Sequence, residues 1–177
     1  PTRYGDAMMR ALIEAGEEFG GCAYGTEALG VMRIEKGHAT GNELNGTTTA
    51  LNLGMGHMVS TQKDSIGSVL SRRDGLTGDD ALKLVGFKPC RTSDPVPAGS
   101  HLMTKGSPID AKHDQGYVTS TCYSPTLGHH IAIGFLKSGN QRLGEIVRLV
   151  SPLTNIEHDV EVVSSHFVDP DGDKLRA

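Results

Sequence analysis

The chain has 177 residues, 37% hydrophobic and 21% charged, which is enough to bury a core without disulfide staples and too ordinary a mixture for disorder. Its formal net charge of -4 is spread along the chain, with no Lys/Arg run, no tryptophan and few aromatics, so neither a phosphate backbone nor a stacked single strand is an expected partner. No apolar run approaches the roughly 20 residues of a membrane helix. Cys22, Cys90 and Cys122 are odd in number and far apart, which argues against a disulfide framework or a zinc site and suits a reducing, cytoplasmic setting.

Residue 1 is a proline and the first element is already a helix, so the chain reads as a segment of something longer. Tyr4, Met8, Leu12, Ala15 and Phe19 recur at helical spacing and form one apolar stripe, stopped by Gly20-Gly21. Such a stripe must lie on something, and the expectation is that preceding sequence or another chain covers Met8, Leu12 and Phe19. A second helix is expected from Thr26 to Lys36. Thr26 offers a capping hydroxyl, Glu27 and Lys36 complement the helix dipole, and Gly37 supplies a left-handed stop.

Beyond it the pattern loosens. Residues 47–53 read as a loop, Met55 to Val59 as a short strand or a loop, and 60–67 as turn chemistry. Val69 and Leu70 suggest a short helix, and 72–80 is charged and glycine-punctuated, the best linker candidate. Runs at 82–87, 116–122, 130–136, 144–150 and 159–164 are then strand-like and separated by Pro, Gly, Asn and Asp clusters. Five or six such strands without intervening helices predict a small antiparallel barrel or sandwich, with Gly134 marking a bend or bulge. The expected domains are 1–75 and 76–177.

On spacing alone no catalytic constellation stands out. His129-His130 would point to opposite faces of a strand, and Asp110, Lys112, His113 and Asp114 make a polar tip. Ser124 lacks a nucleophile elbow, and Gly54-Met55-Gly56 is only a fragment of a phosphate loop. Arg33, by itself, is a helix arginine expected to pair with Glu35 or Glu27.

Several stretches nevertheless match a known pattern in order: Tyr24-Gly25-Thr26-Glu27-Ala28, Arg33-Ile34-Glu35-Lys36-Gly37, Gly41-Asn42-Glu43-Leu44, Leu53-Gly54-Met55-Gly56-His57 and Lys63-Asp64-Ser65-Ile66-Gly67. Gly116-Tyr117-Val118-Thr119-Ser120, Ser124-Pro125-Thr126-Leu127-Gly128, Ile131-Ala132-Ile133-Gly134 and Phe167-Val168-Asp169-Pro170 continue it. Together they resemble the aminomethyltransferase family of folate enzymes. The wording around Thr26, Arg33 and Phe167 is closest to the C-terminal, folate-binding region of the alpha subunit of heterotetrameric sarcosine oxidase.

That resemblance implies an α+β fold, the C-terminal part of an α/β folate-binding domain followed by the barrel. It implies an oxidoreductase subunit in a hetero-oligomer that demethylates sarcosine to glycine and passes the one-carbon unit to tetrahydrofolate, with flavin and NAD elsewhere in the complex. A glycine-cleavage aminomethyltransferase and a non-catalytic assembly module with a vestigial folate site are the alternatives. Arg33 carries over as a folate-holding arginine, whose planar fork suits carboxylates or a pterin edge. Tyr24 offers an aromatic face, and His57 stands where many relatives have tryptophan. The family's catalytic aspartate and pterin-reading glutamate lie upstream of the matching region, so no catalytic residue is expected in this chain.

Overall fold

The computed structural model describes residues 1–60 and 62–176. The chain divides into two compact units, Pro1–Gly30 and Val31–Ala177. In the first, a 3-10 turn leads into α1 (Gly5–Glu17), and the chain then closes on itself through Gly20, at φ 68, and a bond from the Gly21 N–H to the Gly16 carbonyl. No residue of α1 is buried, and Met8, Leu12 and Phe19 are all exposed.

Helix α2 (Thr26–Lys36) begins in the first unit and its last two turns belong to the second. Its first turn is held by the Leu29 N–H on the Gly25 carbonyl, and the Thr26 hydroxyl makes no capping bond among the described residues. The helix starts on Thr26 itself, one residue earlier than a Thr26 cap would have it. Gly37 ends it as expected, at φ 78.

The second unit is built on six strands: β1 (Leu82–Pro89), β2 (His101–Met103), β3 (Asp114–Ser124), β4 (His129–Lys137), β5 (Ile146–Ser151) and β6 (Ile156–Val163). They form a closed antiparallel barrel in the order β1-β4-β3-β2-β5-β6, with β6 pairing back onto β1. Closure leaves no free sheet edge. This is the expected α+β architecture. The strand that periodicity did not pick out is β2, whose three residues are too few for alternation to register. Met55 to Val59 is neither strand nor open loop but carries a 3-10 turn (Gly56–Met58), and the linker stretch contains a one-turn helix, α3 (Asp74–Thr77).

Alternation sends Val85, Phe87, Leu102, Val118, Leu136, Val147, Leu149, Val160 and Val162 into the barrel. Their neighbours do not all face water. Ile131 and Ile133 on the outside of β4 are also fully buried, against Ile34 of α2 with Leu84, Cys122, Leu127 and Phe167 around them. A strand covered on both faces must be apolar throughout, which accounts for the unbroken run Ile131-Ala132-Ile133-Gly134-Phe135-Leu136.

A bulge interrupts β3 between Val118 and Ser120, opposite Gly134 on β4, so the irregularity expected from Gly134 lies on its partner strand. A Cβ on Gly134 would collide with the Tyr117 carbonyl oxygen, which fixes glycine there. Asn52 ties the preceding loop to the barrel. Its side-chain amide donates to the Leu82 carbonyl at 2.7 Å, and its own carbonyl accepts the Leu84 N–H at 2.7 Å.

Candidate functional site

The last turn of α2 is where the separate sequence motifs meet. Arg33 reaches neither Glu35 nor Glu27; it spans from helix to barrel. Its Nη1 donates to Glu43 Oε2 at 3.2 Å and to the His38 carbonyl at 3.4 Å, and its Nη2 donates to Ser120 Oγ at 2.6 Å. Ser120 in turn donates to Glu43 Oε1 at 2.6 Å, closing a ring of three side chains. Glu43 also accepts the Thr40 N–H at 2.8 Å, and Asn42 donates to Ser120 Oγ at 3.4 Å.

Glu43 has no exposed surface, and 16% of the Arg33 side chain remains open. Burial alone would push the Glu43 carboxyl up. Hydrogen bonds, that from Ser120 foremost, together with the Arg33 charge outweigh it and hold the group below the usual carboxylate range. Arg33 is therefore a charge-assisted bridge rather than a loose surface arginine.

The next residues continue the seam. Glu35 accepts the Ser124 hydroxyl at 2.5 Å, and its backbone carbonyl accepts the N–H groups of both Phe167 and Val168 at 2.9 Å. Lys36 Nζ donates to the Asp169 carbonyl and pairs with its carboxylate at 3.2 Å. Desolvation raises Asp169, but the Lys174 N–H and Lys36 overcome it and keep this carboxyl low as well. Gly37 passes so close to the Ser165 carbonyl that a Cβ would stand 2.5 Å from its oxygen. The run Arg33 to Gly37 thus touches, in turn, the Glu43 turn, the β3 strand, the Ser124 turn and the Phe167 tail.

The other expected site residues are placed differently. Tyr24 lies in the first unit and is exposed. His57 sits in the 3-10 turn of the second, exposed, and shares no hydrogen bond with Arg33 among the described residues. A cavity of about 310 Å³ lined by Thr49, Leu51, Gly56, Val59 and Ser71 adjoins that turn without taking in His57 or Arg33. Glu43, Ser120 and Ser124 were not singled out by spacing. Each sits inside a motif that carries the family resemblance, but their convergence depends on pairings 77 to 89 residues apart.

The polar tip at Asp110 is a local pair with His113, at 2.6 Å, which lowers the Asp110 carboxyl. Among the described residues no cluster of His, Cys, Asp or Glu suits a metal ion. No helix among them is long and apolar enough to cross a membrane.

Comparison with known proteins agrees with this architecture. A profile described as the GCVT N-terminal domain matches residues 1–63, and one for the glycine cleavage T-protein C-terminal barrel domain matches 83–169. Sarcosine oxidase subunit alpha of Rhizobium meliloti (strain 1021) is 41% identical over 99% of this chain, and that of Corynebacterium sp. (strain P-1) 33% over 98%. The aminomethyltransferase of Halothermothrix orenii is 34% identical over 91%. The chain spans 18% of the two alpha subunits' length and 43% of the aminomethyltransferase.

Among solved structures, the glycine cleavage system aminomethyltransferase T from Bartonella henselae superposes with a TM-score of 0.63 at 22% identity. The match takes in 80% of this chain and 38% of that one, a likeness of fold. One profile ends before the linker and the other spans the strands that close into the barrel, so the chain is an aminomethyltransferase-like region, similar to the corresponding region of the sarcosine oxidase alpha subunits.

Proposed function

We propose that this chain is the tetrahydrofolate-binding region of a sarcosine oxidase alpha-type subunit, part of an oxidoreductase complex that converts sarcosine to glycine. The carrying observation is the 41% identity along nearly the whole chain to one such subunit, against 34% to an aminomethyltransferase. In this reading residues 1–75 are the C-terminal part of the folate domain and 76–177 the barrel domain, while other subunits and flavin and NAD sites lie outside the chain. Tetrahydrofolate, when bound, supplies the nitrogen nucleophile that takes up the one-carbon unit.

The residues present fit such a ligand. Arg33 commits its two terminal nitrogens to protein partners, whereas its Nε–H has no acceptor among the described residues. That N–H, on a partly open and firmly held guanidinium, can donate to a carboxylate or a pterin oxygen. The exposed Tyr24 ring and His57 imidazole are proposed as further folate contacts, one an aromatic face and the other a hydrogen-bonding ring. The contribution assigned to these side chains is binding and orientation.

The assembly-module reading draws on the same bridge, since an arginine held by Glu43 and Ser120 has a structural task already. Calorimetric titration of tetrahydrofolate into the intact protein separates the two. Arg33→Ala should weaken folate binding by about 1.5–3 kcal/mol while leaving flavin reduction by sarcosine unchanged, and Arg33→Lys should recover only part of it. Unchanged affinity in a folded alanine variant removes Arg33 from the site.

A further inference from the structure

We propose that Glu43 and Ser120 are positioning residues for the Arg33 guanidinium, so that the bulged barrel strand β3 sets the arginine's aim toward bound folate; this rests on the reading of Arg33 as a folate contact. The two side chains hold adjacent nitrogens of the fork and are bonded to each other, which fixes the guanidinium plane as well as its place. Each holder is itself held, Glu43 by the Thr40 N–H and Ser120 by Asn42 and by the backbone of β3. Neither can meet a ligand directly. Glu43 is fully enclosed and Ser120 is 4% exposed, so whatever they do to folate binding passes through Arg33.

The bulge makes this possible. Val118 points into the barrel core, and two residues further on an uninterrupted strand would send Ser120 to the same side. The extra residue at Thr119 reverses the phase, so Ser120 and then Cys122 face α2 instead. Thr119 spends its hydroxyl on the Ile133 carbonyl and pins the irregularity in place. The barrel is thereby joined to the proposed ligand site through one serine hydroxyl.

The test is calorimetric titration of tetrahydrofolate into the intact protein and its variants, with melting temperature measured in parallel. Ser120→Ala should weaken folate binding about 3- to 10-fold, the scale of an ordinary net hydrogen bond and less than a direct charged contact, because the serine acts through the arginine. Ser120→Thr, which keeps the hydroxyl, should bind within about twofold of the parent. Adding Ser120→Ala to Arg33→Ala should cause no further loss, because the serine acts only through the arginine.

Glu43→Gln should weaken binding in the same manner, and if it does not fold Ser120→Ala decides alone. Unchanged affinity in Ser120→Ala beside a clear loss in Arg33→Ala overturns the positioning role and leaves the folate reading standing. A Ser120→Ala loss that persists undiminished in the Arg33→Ala background also overturns it. If Arg33→Ala itself binds normally, the folate reading fails first and the positioning role with it.

Discussion

The barrel interior and the helix seam on its outer wall bury side chains in opposite ways. Inside, eleven residues from Val85 to Val162 form a cluster without a single polar side chain. Outside, the apolar group around Ile34, Ile131 and Ile133 is bordered by Arg33, Glu35, Glu43, Ser120 and Ser124, all hydrogen-bonded and with no buried side-chain polar atom lacking a partner among the described residues. The first is non-directional and tolerates any filling of the right volume. The second has one geometry in which its groups are satisfied, and each missing partner leaves a buried donor or acceptor stranded. The interior makes a barrel; the seam decides where α2 lies on it.

The comparison is broken most strongly from the inside. Phe87 has no exposed surface, and Phe87→Ala should cost about 3–5 kcal/mol of stability in denaturant unfolding, with barrel and seam lost together. Gly37→Ala attacks only the seam. A left-handed backbone at φ 78 costs a non-glycine residue on the order of 1–3 kcal/mol, and the clash with Ser165 adds to that. Its signature should be faster hydrogen exchange in α2 with protection in β5 and β6 retained; a barrel that exchanges equally fast would mean the two regions are one cooperative unit.

Acid sharpens the contrast further. Glu43 and Asp169 have carboxyls below their ordinary 4.5 and 3.8, so the stability they contribute is complete above those values and is lost as pH falls through them toward the lowered folded values. The interior cluster holds no carboxylate. As pH falls below about 4.5 the seam should therefore loosen before the barrel unfolds, which far- and near-ultraviolet circular dichroism can follow separately. The smallest expected effect concerns Cys122, whose thiol burial and the nearby Glu35 carboxylate push up to about 11. Alkylation at neutral pH should be roughly 100-fold slower than for an ordinary exposed thiol, with exposed Cys22 as the internal comparator, and seam loosening by Gly37→Ala should speed it.

What could be read in advance follows the same division. Apolar and β-branched runs over 82–87, 130–136 and 159–164, set apart by Pro, Gly, Asn and Asp clusters, announced strands because both signals are local. Gly37 announced a helix stop for the same reason, a backbone conformation set within one turn. Arg33 could be picked out by resemblance but its partner could not. Glu35 and Glu27 are near in sequence, while Glu43 is brought in by the Gly41–Leu44 turn and Ser120 by a bulge whose effect on facing cannot be counted from spacing. A one-residue insertion inverts every expectation of inward and outward along the strand after it.

One pairing in the seam also sets an order of events. Lys36 is bonded to Asp169 across 133 residues, and Glu35 to the amides of Phe167 and Val168, whereas every strand of the barrel is complete by Val163. A chain emerging from the ribosome amino end first therefore has α2 in hand before the barrel strands and the segment 167–169 that hold it. Until that segment docks, the apolar group around Ile131 and Ile133 lacks Phe167, and the closing contact carries the loop-closure entropy of 133 residues. The Lys36 and Glu35 contacts of the seam therefore form only after the segment 167–169 has been made and has docked onto α2.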